Sequence, residues 1–115
     1  KSTGSYSSVV GGQLNHTIGE YSVVITGETN ITEGNKSAVV SGSSNIAKGT
    51  ASTVVGGEGN EPNGSFSVIV SGSNNRALGE SAAVLGGGNN SADSRSSVVL
   101  GEIAQTNNNQ FTVIP

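Results

Sequence analysis

Apolar residues recur in pairs along this chain at a fixed interval of fifteen residues, and polar, glycine-rich stretches separate the pairs. When the chain is divided into blocks of fifteen from Tyr6, the fourth place of all eight blocks is Val or Ile, and the fifth place of the first seven is aliphatic. Gly recurs at the seventh and fourteenth places, Asn at the tenth and Ser at the second. β-Branched pairs bounded by glycines predict short strands and turns. No apolar stripe with the 3.6-residue period of a helix is present in the sequence.

A block of fifteen residues is too short to hold a strand, a helix and their connections. We therefore expect each block to form one coil of an all-β parallel solenoid, with a short strand on each side and a glycine-assisted turn at each end. Coils that stack about 4.8 Å apart predict a rod roughly 36 Å long.

The alternation of side chains along a strand sorts the places of a block into two faces. We predict that the second, fourth and sixth places face a narrow interior, because the fourth is always Val or Ile and its companions are small. The predicted core column consists of Val9, Val24, Val39, Val54, Ile69, Val84 and Val99.

The fifth place forms a second apolar column, which the same alternation turns outward. It contains Val10, Ile25, Val40, Val55, Val70, Leu85 and Leu100. Leaving seven aliphatic side chains in water forfeits on the order of 10 kcal/mol, and a continuous apolar stripe commonly marks an association surface. We therefore predict rotationally symmetric self-association about the rod axis.

Composition excludes several classes of protein. Of 115 residues, only 32% are hydrophobic and 11% charged, the net charge is −3, and there is no cysteine. A single chain with so few apolar residues is poorly equipped to form a globular core of its own. Five scattered basic residues offer no phosphate-binding patch, so nucleic acid is not an expected partner. No apolar run approaches the roughly 20 residues of a membrane span, and we expect no membrane contact by this segment.

The recurring asparagines are the most suggestive polar feature. They are Asn15, Asn30, Asn45, Asn60, Asn75 and Asn90. We predict a structural ladder that caps turns and hydrogen-bonds along the rod, rather than a row of ligand-binding amides.

His16 is the sole histidine and is expected to be a solvated turn residue. We expect no catalytic, cofactor-binding or metal-binding residues, because no phosphate-loop motif, recurring aspartate or catalytic triad is recognisable.

The repeats resemble those of YadA-like head domains in trimeric autotransporter adhesins. The segments that carry the likeness are Ser22-Val-Val-Ile-Thr-Gly27 and Ser37-Ala-Val-Val-Ser-Gly42, each followed by Asn-x-x-x-Gly. This chain has one extra residue per repeat, and Val and Asn where the family often has Ala. The resemblance implies a left-handed parallel β-roll in a homotrimer, with the fifth-place column facing the trimer contact. It also implies an extracellular position, on a cell-surface fibre anchored in the outer membrane outside this segment. Related trimeric fibre tips of phage-tail type carry similar repeats.

The repeat degenerates near the end of the chain. Glu102 stands where Gly is due, Gln105 where Asn is due and Asn109 where the next Gly is due. We therefore divide the chain into β-roll repeats over 1–101 and a degenerate last coil, cap or junction over 102–115.

These observations predict a non-catalytic adhesive head segment that binds a host or prey cell-surface protein, matrix protein or glycan. Three identical faces repeated along one rod would multiply weak contacts. One alternative is an ice-binding solenoid, which calls for a flat face of identical residues. The residues at the outward first place vary freely, and this counts against it. Another is a passive spacer in a phage-tail-like fibre.

Overall fold

A computed structural model describes residues 1–101 and the two strands Thr106–Asn107 and Val113–Ile114. The structure is all-β and consists of two-residue strands joined by turns. The strands are β1 Ser8–Val9, β2 His16–Thr17, β3 Val23–Val24, β4 Ile31–Thr32, β5 Ala38–Val39, β6 Ile46–Ala47, β7 Thr53–Val54, β8 Glu61–Pro62, β9 Val68–Ile69, β10 Arg76–Ala77, β11 Ala83–Val84, β12 Ser91–Ala92, β13 Val98–Val99, β14 Thr106–Asn107 and β15 Val113–Ile114.

Every strand pairs in parallel with a strand fifteen residues before or after it, although β6 and β8 do not pair with each other. Val24 lies opposite Val39, and Val39 opposite Val54. The odd-numbered strands form one eight-stranded sheet, and the even-numbered strands form a second side of the coil. The predicted parallel β-solenoid with fifteen-residue coils is confirmed, with about six turns. Its longest extent is 37 Å, close to the length expected from stacked coils.

A third ladder separates these two sides, and the sequence analysis did not foresee it. It consists of single-residue parallel bridges at the eighth place, such as Glu28 to Ser43 and Ser43 to Glu58. The expected coil with one strand on each of two sides was therefore incomplete, because the chain pairs with its neighbours along three lines. Backbone hydrogen bonds build this third ladder, as in Ser43 N–H to Gly57 O at 2.9 Å.

The interior of the coil holds four columns of side chains and one column of backbone, which the glycines of the fourteenth place form. The predicted core residues from Val24 to Val99 are fully buried, and Val9 is partly buried. Second-place serines, tenth-place asparagines and the twelfth-place residues join them inside. The sixth place was wrongly predicted to face inward: Thr26 and Ser71 are exposed and Ser41 is half-buried. The chain has already begun its corner there, so strand alternation no longer applies.

Glycine at the seventh place is required by both space and conformation. Gly42 has φ 96°, and a Cβ atom added there would lie 2.1 Å from the carbonyl oxygen of Gly57 in the next coil. At two other corners the left-handed residues are mostly not glycine, with Gly59 as an exception. The first place holds Tyr6, Tyr21 and Phe66 at φ 56–59°, and the ninth holds residues such as Thr29 at φ 57°.

The predicted β-roll repeats, 1–101, lie within the described residues. Strand β14 continues the pairing of β12, and β15 continues that of β13. The rest of the predicted cap or junction, 102–115, lies outside the described residues.

Candidate interaction surface

The asparagine column lies inside the coil, where the side-chain amides form hydrogen bonds with the backbone. Asn45 Nδ2 donates to Ser41 O at 3.3 Å in its own coil and to Gly57 O at 3.0 Å in the next. Its Oδ1 accepts the backbone N–H of Asn60 at 2.9 Å. The same pattern recurs from coil to coil, and Asn30 to Asn75 have no solvent exposure. These amides therefore stitch coils together and are not available to a ligand.

Apart from Ser52 Oγ, which has no partner, the buried hydroxyl groups are likewise occupied by local hydrogen bonds. Ser22 Oγ donates to Gly19 O at 2.7 Å, and Thr32 Oγ1 donates to Ser22 Oγ at 2.9 Å. Serines at the same place in other coils repeat the bond to the carbonyl three residues earlier. A hydroxyl held in this way closes a turn and offers no nucleophile to a substrate.

The outer face of the eight-stranded sheet carries the fifth-place residues, which we call the aliphatic stripe. Its members are Val10, Ile25, Val40, Val55, Val70, Leu85 and Leu100. Val40 is half-buried, and from Ile25 to Leu100 the other members are 36–43% exposed, whereas Val10 is 72% exposed. Because successive coils stack in register, these side chains form one uninterrupted apolar line along the rod.

Two exposed tyrosines form a stacked pair that the sequence analysis did not single out. The rings of Tyr6 and Tyr21 are 5.0 Å apart and nearly parallel, with an interplanar angle of 6°. Both residues occupy the first place of a block. Their separation by fifteen residues therefore could have predicted that the two rings lie next to each other. Phe66, at the same place further along, is 64% exposed.

Charged side chains point outward and form two ion pairs between adjacent coils in the described part of the chain. Lys48 Nζ lies 3.0 Å from Glu61 Oε1, and Arg95 contacts Glu80 at 3.4 Å. Partial burial raises the pKa of Glu61, but hydrogen bonds from Lys48 and Asn63 and the nearby positive charges outweigh it. The pKa of Glu61 is therefore lowered from its ordinary value.

His16 lies in strand β2 rather than in a solvated turn. Its side chain is half-buried, and Nε2 is 3.1 Å from Thr3 Oγ1. The expectation of a turn position was wrong, because the eleventh place begins the second side of the coil.

Residues 1–101 and strands β14 and β15 contain no cavity and no group of three potential metal-ligating side chains. The same part of the chain has no helix of the length and apolarity needed to span a bilayer. Its accessible chemistry therefore lies on the outer columns: an aliphatic stripe, a few aromatic rings and scattered charges.

Comparison with models of known protein families gives no match, and comparison with curated protein sequences gives none either.

Proposed function

We propose that this chain is a non-catalytic head segment of a homotrimeric surface fibre. In this proposal three left-handed rods lie side by side, with their aliphatic stripes turned toward one another. The remaining outer columns face solvent and bind a protein, matrix component or glycan on another cell. The fibre is extracellular and is held at the surface by an anchor outside this segment.

The observation that carries the proposal is the aliphatic stripe beside a self-contained interior. The interior hydroxyls and amides hydrogen-bond within and between coils, so they contribute to the rod itself. The stripe from Ile25 to Leu100 is only partly covered in a single rod, and the apolar surface that it leaves in water costs stability. Association about an axis parallel to the rod covers all of the stripe at once and uses the same contact in each coil.

Adhesion is favoured over an ice-binding role by the irregularity of the outer columns. Ice binding calls for a flat face of repeated identical residues, usually Thr. Thr17 and Thr32, which share one column, are buried instead. Along the outward first place the residues change from Tyr21 to Lys36 to Ala51. Variable outer residues on a constant frame suit recognition of a macromolecule through several weak contacts.

The solution mass of the chain tests the trimer. Sedimentation equilibrium across a concentration series is expected to give about three times the chain mass of 11.3 kDa. In the double variant Val55→Asp/Val70→Asp, charge on the stripe is expected to shift the mass to that of one chain. The control is Leu14→Asp, which places one negative charge per chain at a 72% exposed residue off the stripe and should leave the mass unchanged. A folded wild-type monomer at every concentration contradicts the trimer.

Binding to arrays of matrix proteins and glycans tests adhesion separately. The wild-type protein is expected to be retained on at least one class of ligand. The monomeric Val55→Asp/Val70→Asp variant should bind the same ligand at least tenfold more weakly, because it loses multivalency. Equal binding by both proteins argues against avidity. Retention of neither on any surface favours the passive spacer.

A further inference from the structure

The second side of the rod is interrupted at one coil, residues 51–65. The sheet formed by the even-numbered strands divides into β2-β4-β6 and a second group that starts at β8. Pro62 lies in β8 and has no N–H to donate. At the equivalent place of an earlier coil, Thr17 donates its N–H to Lys1 O at 2.9 Å. The matching bond from residue 62 to Ile46 O cannot form, although Lys48 N–H still reaches Pro62 O at 3.1 Å.

The buried apolar side chains divide at the same coil. One cluster contains Val24, Val39, Ala47 and Val54, with Val9 packed against it. The other contains Ile69, Ala77, Ala82, Val84, Ala92 and Val99. The boundary falls between Val54 and Ile69, although their strands remain paired in the eight-stranded sheet. Pro62 stands between Ala47 and Ala77 in the twelfth-place column. Cooperativity in a solenoid depends on contacts between neighbouring coils, so a gap in those contacts weakens the coupling across it.

Unpaired polar atoms mark this coil as well. In the described part of the chain, three buried side-chain oxygens have no hydrogen-bond partner. Ser52 Oγ and Asn63 Oδ1 lie in this coil, and the third, Asn90 Oδ1, lies in coil 81–95. In another coil the equivalent serine, Ser22, both donates to a carbonyl and accepts from Thr32. In the coils with Ala47 and Ala77 at the twelfth place, Ser37 and Ser67 still donate to the carbonyl three residues earlier. The missing bond of Ser52 is therefore not explained by the lack of a hydroxyl at residue 62. A buried polar atom without a partner costs free energy.

From these three observations we infer that coil 51–65 divides the rod into two cooperative units, residues 1–50 and 66–101, which open separately. The Lys48–Glu61 ion pair crosses the same junction at the surface, where solvent limits its strength. The rod is therefore a continuous stack in the folded state, and coil 51–65 is the position at which the stack opens first.

The inference is tested by unfolding the full chain in guanidinium chloride with two probes. The chain has no Trp, and its two Tyr residues, Tyr6 and Tyr21, both lie in the first unit. Tyrosine fluorescence therefore reports the first unit alone, whereas far-UV circular dichroism reports both. The two midpoints are expected to differ.

In native-state hydrogen exchange, amides of coil 51–65 should be protected roughly tenfold less than those of coils 21–35 and 66–80, the equivalent of about one hydrogen bond. Coincident midpoints with uniform protection would overturn the inference.

The variant Pro62→Ala supplies the missing N–H and places at residue 62 the residue found at 47, 77 and 92. It is expected to bring the two midpoints together and to raise the protection of coil 51–65 toward that of its neighbours. The reciprocal variant Ala77→Pro should create a second interruption and extend the weakly protected region to coil 66–80. If Ala77→Pro does not fold, Pro62→Ala decides the question alone, and unchanged separate midpoints in that variant refute the role of Pro62.

Discussion

At the scale of single residues, the rod depends on side chains that replace backbone partners. Asn45 joins its own coil to both neighbouring coils. Its Nδ2 contacts Ser41 O, Gly57 O and Asn30 Oδ1, and its Oδ1 accepts the N–H of Asn60. A buried amide in this position contributes more than a surface one, because its loss leaves buried backbone groups short of partners.

Asn45→Ala is expected to lower the free energy of unfolding by about 3 kcal/mol, since the N–H of Asn60 is left buried and unpaired. Urea denaturation measures the change. The control is Asn35→Ala, which removes an exposed side chain whose Oδ1 accepts one bond from Glu20 N–H at 2.9 Å, and should cost less than about 1 kcal/mol. Equal losses in the two variants would show that burial of the ladder is unimportant.

Thr29→Asn is expected to stabilise the protein by about 1 kcal/mol, because a β-branched residue is strained in the left-handed conformation. Asn74 and Asn89 already occupy the same place at φ 53° and 56°. Thr53→Asn serves as the matched control, since Thr53 lies in strand β7, where Asn is unfavourable. Thermal unfolding should move in opposite directions for the two variants, and a loss of stability in Thr29→Asn counts against strain at this corner.

Lys48→Gln is expected to raise the pKa of Glu61 toward its ordinary value of 4.5, because it removes a positive charge and a charged donor. A lowered pKa means that Glu61 stabilises the fold above its unfolded-state pKa and loses that contribution as the pH falls through the folded-state value. Carboxyl-carbon NMR titration follows Glu61 directly. Lys36→Gln is the control and should leave that titration unchanged. An unshifted Glu61 in Lys48→Gln would contradict the assignment.

At the scale of the element, one coil is defined by corners as much as by strands. Each strand is two residues long, so strand length contributes little to its placement. The seventh-place glycines let adjacent coils approach closely at one corner, and a side chain there would force the coils apart.

Gly42→Ala is expected to destabilise the protein by more than about 4 kcal/mol, because the new Cβ meets the carbonyl of Gly57 and the backbone is held at positive φ. Gly86→Ala is the matched control. There the nearest atom to an added Cβ is Ser71 Oγ at 3.5 Å, and the change should stay within about 0.5 kcal/mol. Circular dichroism with thermal melts separates the two, and a well-folded Gly42→Ala would refute the packing argument.

The sequence predicted the coil length, the parallel register and the fourth-place interior, because identical residue types recur at these places. It did not predict the eighth-place ladder, where Gln13, Glu28 and Ser43 share no apolar or β-branched character. That ladder is held by backbone bonds, which any residue except proline can make. The twelfth-place column was also missed, since Thr32, Ala47 and Pro62 have in common only that they fit a small space. The outer aliphatic stripe could be predicted from the sequence, but the residues at the repeated places do not indicate which surface covers it.

At the scale of the whole molecule, the rod is a stack of interchangeable units. Removal of one complete coil, residues 36–50, joins two coils that keep the same register. We expect this variant to remain folded with reduced stability, and small-angle X-ray scattering should show a rod shorter by about 4.8 Å.

Removal of eight residues, 36–43, is the control for that deletion. It leaves seven residues of the coil, too few to run once around the rod. The residues that follow are then out of register with the coil before the deletion. This variant is expected to be unfolded by far-UV circular dichroism. Folding of the half-coil deletion, or loss of fold in the full-coil deletion, would show that coils are not independent units.

The unbroken fifteen-residue register also bears on how a gene for such a rod can change. Slippage during replication that adds or removes fifteen codons lengthens or shortens the encoded rod while Val39 and Val54 keep partners of the same kind. Shifts of any other size are exposed to selection at once, because they bring outward polar residues into the interior. Length variation among descendants of this sequence is therefore expected to occur in whole coils, and substitutions to accumulate on the outer columns.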